Sequence, residues 1–397
     1  MKLLPSLEAS LLSELEKLIE KLCPNGVEYR KLGDLCEIKT GNGLTKKDTR
    51  EDGRYKIISG GVEPLGRCNI FNRKANTVTI ARAGSAGYVN YLNEDFYLND
   101  KCFSAVPKVK LNSKFLYYAL SNIQEKIYML KSSGTVPTVN TSKIAKIEIP
   151  LPPLEVQNEI VRILDKLTEL TTELTTELTA RRKQYEYYRD SLLDLEAPMV
   201  KLSDIAEISR GGSFQKKDFV ENGMPCIHYG QIYTKYGLNT DKTLTFVNEK
   251  VFDKSKKAKP HDIIMAVTSE NIEDVCKCVV WLGDNDVAVS GHTAIIHHNV
   301  NSKYLGYYFS TSHFFKQKEK IAHGTKVIEV TPSALNDILI PLPPIEEQQI
   351  IVDILDRFDK LCNDISEGLP AEIEARKKQY EYYRDKLLNF KKLEVNY

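Results

Sequence analysis

Ile149-Pro150-Leu151-Pro152-Pro153 opens, and Arg182-Lys183-Gln184-Tyr185-Glu186-Tyr187-Tyr188-Arg189-Asp190 closes, a stretch that occurs twice. It returns as Ile340-Pro341-Leu342-Pro343-Pro344 and Lys377-Lys378-Gln379-Tyr380-Glu381-Tyr382-Tyr383-Arg384-Asp385. Solenoid units recur every ~20 to 50 residues, so a repeat this distant marks a chain built from two large halves. Within the first copy, apolar residues fall at Ile163, Leu167, Leu170, Leu174, Leu178, Tyr185, Tyr188, Leu192 and Leu195. They lie mostly three or four apart, which predicts a helix carrying a coiled-coil seam. The literal repeat Leu170-Thr-Thr-Glu-Leu174-Thr-Thr-Glu-Leu178 puts a four-residue stutter into that seam. The second copy keeps the register at Ile354, Phe358, Leu361, Ile365 and Leu369. From Ile149 to Ile340 is 191 residues, whereas from Tyr185 to Tyr380 is 195, so the second helical stretch is one tetrad longer. Gly368-Leu369-Pro370 is expected to break or kink it, with Pro370 opening a fresh helix.

The chain has 397 residues, room for two or three domains with well-formed cores. Lys and Arg total 55 against 54 Asp and Glu, a formal charge of +1. No global basic field advertises nucleic acid, so any polyanion-binding face must be local. The eight cysteines are scattered, only Cys276-x-Cys278 being close, and no second pair completes a zinc site. They read as free thiols of an intracellular protein. No apolar run reaches the roughly 18 residues of a membrane span, and no basic segment leads into an apolar core at the N-terminus.

In chain order, Ser6 to Leu22 reads as an amphipathic helix with Leu7, Leu11, Leu15, Leu18, Ile19 and Leu22 on one face, ended by Pro24-Asn25-Gly26. A strip this regular is expected to pack on another helix. Lys31-Leu32-Gly33-Asp34-Leu35 then matches Lys201-Leu202-Ser203-Asp204-Ile205, so both halves begin alike. After residues 41 and 211 the bodies are expected to diverge into glycine-punctuated short strands and loops, such as Ser59-Gly60-Gly61 and Arg82-Ala83-Gly84. Similarity resumes at Asn112-Ser113-Lys114-Phe115-Leu116-Tyr117-Tyr118 and Asn301-Ser302-Lys303-Tyr304-Leu305-Gly306-Tyr307-Tyr308, each a helix start with an aromatic face. Gly134-Thr135 and Gly324-Thr325 precede the proline signature. A constant frame around a variable centre is how a scaffold presents changeable binding loops.

Catalytic signatures are missing. Gly41-Asn42-Gly43-Leu44-Thr45-Lys46-Lys47 lacks the spacing and hydroxyl of a phosphate-binding loop. Glu37-Ile38-Lys39 suggests a magnesium-nuclease pair, but the second half carries Ser209 where the lysine stands, and an exposed strand pair is the simpler reading. There is no Asn/Asp-Pro-Pro-Tyr/Phe segment of the kind that grips a flipped adenine. His297 and His298, adjacent on a strand, point to opposite faces and do not readily share a metal with His292.

Signals for DNA are local. Lys39, Lys46, Lys47, Arg67, Arg73, Lys74 and Arg82 cluster beside glycines and asparagines in the first half; Arg210, Gln215, Lys216, Lys217, His228, Tyr229, Gln231 and Tyr233 do so in the second. These residue types contact phosphates and base edges. A solvated loop is the plain alternative for either cluster, and recurrence at the same place in both halves favours binding.

Two copies of Pro-Leu-Pro-Pro-[Leu/Ile]-Glu leading into Ile-x-x-Ile-Leu-Asp, then Arg-[Arg/Lys]-Lys-Gln-Tyr-Glu-Tyr-Tyr-Arg-Asp, resemble the specificity subunit of type I restriction-modification systems over essentially the whole chain. The resemblance implies an α+β chain with α/β-type target-recognition domains in pseudo-twofold arrangement, joined by two long helices forming an antiparallel coiled coil. The expected parts are an N-terminal helix (1–24), recognition domain one (25–150), a central helical spacer (151–198), recognition domain two (199–340) and a C-terminal helical spacer (341–397). It implies a non-catalytic, cytoplasmic targeting subunit that reads an asymmetric bipartite site in double-stranded DNA and has no membrane partner. Two methylation subunits and the restriction subunits are the implied partners; S-adenosylmethionine, ATP and magnesium belong to them, none to this chain. Subunit docking and helix pairing are expected at Leu167, Leu174, Leu178, Tyr185, Tyr188, Phe358, Leu361, Tyr380 and Tyr383. The Leu-Thr-Thr-Glu repeats resemble the family's spacer-setting tetrads; Gly368-Leu369-Pro370 departs from it by interrupting the second helix. Two other classes stay open on the residues alone: an assembly scaffold binding protein or glycan, and a single-chain nuclease or methyltransferase.

Overall fold

A computed structural model describes residues 4–364 and 366–393, with side chains from residue 12 onward. The seam position Ile365 and the side chains of Leu7 and Leu11 lie outside the described residues. The chain forms two compact bodies, Met1–Glu173 with Glu374–Tyr397, and Leu174–Ile373. No helix among the described residues is long and apolar enough to cross a membrane.

The first body begins with helix α1 (Leu4–Leu22), whose Leu15 is fully buried. Its main sheet has the strand order Cys36–Thr40, Cys102–Pro107, Thr77–Ala81, Val89–Leu92, antiparallel throughout. Thr77–Ala81 is buried at every position, which suits its β-branched sequence Thr-Val-Thr-Ile-Ala to an inner strand. A smaller sheet orders Gly66–Cys68, Tyr55–Ile58 and Tyr97–Leu98, the last pair parallel. In the second body the strands Ala206–Arg210, Thr293–His298, Ile263–Ala266 and Cys278–Trp281 repeat the first order and add Asn239–Thr240 at the edge. Thr245–Val247, Met224–Ile227 and Val287–Val289 repeat the smaller sheet, again with the last pair parallel, and gain a strand on each side. The variable centres thus share a topology that their sequences conceal.

The repeated ends have a physical cause. Tyr29–Lys31 pairs antiparallel with Glu148–Pro150, and Met199–Lys201 with Leu339–Pro341, so each body is closed by pinning its first strand to its last. Proline cannot continue such a ladder, and Pro152-Pro153 and Pro343-Pro344 hand the chain on to helices. After each main sheet comes a helix capped by an asparagine: α2 (Ser113–Asn122), where Asn112 accepts from the backbone of Lys114 and Phe115, and a later equivalent capped by Asn301.

Helix α3 (Leu154–Leu192) runs 39 residues, about 58 Å at about 1.5 Å per residue. Val156, Ile160, Ile163, Leu164 and Leu167 bury themselves in the core of the first body together with Leu15, Leu387 and Leu388. No residue of α3 after Leu167 is buried, and the tetrad leucines Leu170, Leu174 and Leu178 are half-buried. The hydroxyls of Thr168, Thr171, Thr172 and Thr179 bond back to carbonyls four residues earlier. The division between the bodies falls at Glu173–Leu174, inside the tetrad repeat.

In the second body helix α4 (Tyr229–Thr234) precedes α5 (Ser302–Tyr308), the equivalent of α2, and α6 (Ile345–Asn363) follows the proline signature. Tyr185 and Tyr188 of α3 stack on Phe358 of α6, with ring centroids 6.4 and 5.4 Å apart. Cys362 feels the charges of Arg181 and Arg182, so the two helices run antiparallel there. The expected interruption is present and starts earlier than the glycine: α6 ends at Asn363, the Asp364 carboxylate accepts from Ser366 and Glu367, and α7 (Leu369–Leu388) begins with Pro370 as its second residue. A Cβ on Gly368 would meet the carbonyl oxygens of Asp364 and Lys360 at 2.6 Å, so only glycine lets the chain turn this tightly. Tyr380 and Tyr383 of α7 pack against the core of the first body.

Candidate nucleic-acid interface

The two bodies present one local structure in duplicate. In the first, the strand Cys36–Thr40 ends at Gly41, whose N–H reaches the Cys102 carbonyl at 3.2 Å; a Cβ there would lie 2.2 Å from the Leu98 oxygen. The chain then makes a single turn at Lys46–Asp48. Asp48 holds it: its carboxylate accepts from the Thr45 backbone at 2.7 Å and the Thr45 hydroxyl at 2.9 Å, bonds that keep this acid below its ordinary pKa. In the second, Gly211 donates to Thr293 at 2.9 Å, a Cβ would lie 2.1 Å from the Ser290 oxygen, and Lys216–Asp218 forms the same turn with the Gln215 N–H on Asp218 at 2.8 Å. The common pattern is Gly-x-x-[Leu/Phe]-x-Lys-Lys-Asp, with Leu44 half-buried and Phe214 buried as anchors. The halves therefore stay alike for seven residues past the point where their sequences were expected to part. The aspartate fixes the backbone and leaves Lys46, Lys47, Lys216 and Lys217 exposed, none of them ion-paired among the described residues.

In the first body Lys46 lines a cleft with Lys101 and the loops Ser59-Gly60-Gly61 and Ala83-Gly84-Ser85. Gly84 has φ +80°, and the Ser85 N–H donates to Gly60 at 2.6 Å, so the two loops are tied backbone to backbone. Arg82 is exposed beside them, its main chain bridging Lys101 and Val139. Lys101 was not legible as a candidate because it stands alone between strands; only the pairing of Arg82 and Ala83 with its carbonyl brings it to the cleft.

The other predicted residues are placed differently. Lys39 pairs with Glu37 at 2.8 Å, and Lys74 with Asp95 at 3.1 Å while lying over the Phe71 ring. Arg67 donates to the carbonyls of Gly53 and Arg54, and Arg73 to Asn72, Thr40 and the Ser104 hydroxyl, so both guanidinium groups tie loops together. Arg210 pairs with Glu329 at 2.9 Å and donates to Gly291. His228 is buried and caps α4 by accepting from Gly230 at 3.2 Å; burial, then Lys216 and His292, pushes its pKa down to about 4 and keeps it neutral. Gln231 accepts from the His228 backbone and the Thr245 hydroxyl. The Tyr233 hydroxyl donates to the Thr268 carbonyl. Tyr229 is half-exposed between His228 and an exposed His292, ring centroids 4.5 and 4.9 Å away. His292 thus belongs to an aromatic patch with Tyr229, and His297 is bound to Asp262 at 2.6 Å.

The bodies are mounted on their helices by a second duplicated constellation. Asn112 donates its N–H to Gln157 and its amide to Asn158, and Gln157 donates to the Pro152 carbonyl, all at 2.8 Å. Eight residues along α3, Asp165 receives Lys114 at 2.8 Å and the Tyr118 hydroxyl. In the second body Asn301 reaches Gln348 and Gln349, Gln348 donates to Pro343 at 2.8 Å, and Asp356 receives Lys303 and Tyr307, each at 2.7 Å. Gln157 and Gln348 are buried, and burial followed by the aspartate bond pushes both tyrosine phenols far above their ordinary range.

Comparison with known proteins yields one consistent set of relatives. The family described as "Type I restriction modification DNA specificity domain" matches twice, over residues 24–181 and 196–375. The Escherichia coli type I restriction enzyme EcoR124I/EcoR124II specificity subunit is 32% identical over 417 residues, covering 97% of this chain and 99% of that protein. A candidate type I restriction enzyme specificity subunit of Haemophilus influenzae is also 32% identical, over 405 residues, covering 95% of this chain and 98% of its own. The crystal structure of a type I restriction-modification S subunit from M. genitalium shares the fold with a TM-score of 0.59 at 18% identity, covering 91% of this chain and 96% of that one.

Proposed function

We propose that this chain, which belongs to the type I restriction-modification DNA specificity family, recognises DNA through the duplicated Lys-Lys-Asp turns and the loops beside them. It is the targeting subunit of such a system and not itself an enzyme; methylation and restriction subunits assemble with it on DNA. S-adenosylmethionine, ATP and magnesium are assigned to those partners, and the assembly to the cytoplasm, where the DNA it marks lies. Residues 25–150 and 199–340 are read as the recognition domains, each for one half of a bipartite site, with 151–198 and 341–397 as helical spacers.

The observation that carries the assignment of residues is the recurrence of one rigid turn at the same topological place in two bodies whose loops otherwise differ. A feature kept the same in both halves suits the part of DNA that is the same everywhere, its phosphates. Lys46, Lys47, Lys216 and Lys217 therefore position the duplex. The parts that differ suit base reading: the cleft of Lys101, Arg82 and the glycine loops in the first body, and Tyr229 with His292 in the second. Lys39, Lys74 and Arg210 already hold carboxylates, and Arg67, Arg73, His228, Gln231 and Tyr233 support loops, so their contribution is to loop shape.

The test is DNA binding by the assembled methyltransferase with all four lysines changed to glutamine. If each lysine releases a counterion, the slope of log affinity against log salt flattens by up to about 3.6, with the methylated sequence unchanged. An unaltered slope removes these turns from the interface.

A further inference from the structure

We propose that Asp165 with Lys114 and Tyr118, and Asp356 with Lys303 and Tyr307, are positioning residues that set the angle of each recognition domain on its helix and thereby the gap between half-sites. The inference rests on the two-domain reading above and adds a specificity determinant remote from the DNA face. Four observations carry it. The constellation is duplicated residue for residue, within the helix stretches that the two halves share, whereas the centres of the domains it holds differ in sequence. Both oxygens of each carboxylate are used, one by a lysine and one by a tyrosine four residues on, that is, on adjacent turns of one helix face. A second attachment lies eight residues away, at Gln157 and Gln348, each buried and bonded both to the asparagine cap of the domain helix and to a proline carbonyl of its own signature. Finally, α2 and α5 pack with the sheets of their domains, burying Phe115, Leu116 and Ala119 in one and Tyr304, Leu305 and Tyr308 in the other, so fixing the helix fixes the domain.

Core packing of Val156, Ile160 and Leu164 in one body and of Ile351, Val352 and Leu355 in the other already holds each helix to its domain, but such burial is non-directional. Two directional polar attachments about 12 Å apart along the helix fix the angle at which it is held. The lever is long: a domain of about 125 residues spans roughly 35 Å, so a tilt of about 6° at the helix moves its far side by about 3.5 Å. That equals one base pair at about 3.4 Å. A ruler accurate to one base pair therefore requires the mount to be stiff as well as the helix to have a set length.

The experiment uses the complete methyltransferase assembly and a series of duplexes with both half-sites intact and the spacer set at its native length, one pair shorter and one pair longer. The parent complex is expected to prefer the native spacer by about ten- to hundredfold, the range of one wrong base pair. Asp165→Asn, Asp356→Asn and the pair together are expected to bring the three spacers within about threefold, while discrimination at each half-site base and the salt dependence stay unchanged. Tyr118→Phe, which deletes one hydrogen bond and no charge, gives a smaller change in the same direction and stands in should the asparagine variants fail to fold. The exchange of Lys114→Asp with Asp165→Lys should restore spacer preference. Folded variants that still reject the altered spacers overturn the proposal. A parent complex with no sequence preference at all would sink the recognition reading itself, a separable result.

Discussion

Deleting Leu170–Glu173 is the most direct test of how the long helix is used. The tetrad lies where α3 leaves the core of the first body, after Leu167, and ends at the division between the two bodies. Removing four residues shortens α3 by about 6 Å and rotates the C-terminal remainder of the helix by about 400°, one full turn plus about 40°. Glu169 is then joined to Leu174, so leucines still recur at steps of three and four residues and the half-buried stripe is preserved. None of the deleted residues is buried, so the expected cost in stability is small, about 1 kcal/mol or less, as for surface changes away from a core. The specificity should change instead: both half-sites are kept, and the unspecified spacer shortens by one or at most two base pairs at about 3.4 Å per pair. Methylome sequencing of a host expressing the deletion with its partner subunits reads this directly. An unchanged spacer, or altered half-sites, would show that the tetrads are not the ruler.

Tyr187 and Tyr382 occupy the same place in the repeated signature and are 68% and 62% exposed, unlike their neighbours Tyr185 and Tyr380; changing both to alanine should leave the melting temperature unaltered yet weaken assembly with the methylation subunits by about 2 kcal/mol, and undiminished assembly by analytical ultracentrifugation would refute docking there. His228 titrates near 4 when folded and near 6.5 when unfolded, so the unfolded chain binds the extra proton between those values and stability falls as pH drops through that window, by at most about 3 kcal/mol. His228→Asn, which can still cap α4, should flatten that slope in melting curves taken from pH 7 to pH 4. Gly41→Ala and Gly211→Ala each force a methyl group to within 2.2 Å of a backbone oxygen; each should destabilise its body by roughly 2 kcal/mol or more, measured by urea unfolding, and an unshifted midpoint would contradict the close approach.

By itself the sequence determined the large plan. A literal repeat 191 residues apart, seams of period three to four, and matched openings forced two similar bodies and two helical stretches, because periodicity and duplication are local properties of the chain. It also placed the break before Pro370, since glycine and proline limit the backbone wherever they occur. Tertiary structure decided the rest. The strand order common to the two variable centres was hidden because sheet pairing joins residues distant in sequence, as Cys36 and Pro107 are. The fate of each cation was hidden for the same reason. Lys46 and Arg73 look alike as basic residues beside asparagines and glycines, but only one of them finds the carbonyl of Thr40 and the hydroxyl of Ser104 within reach. An unpaired charge is defined by the groups that the fold fails to bring near it, and no window of sequence contains that information.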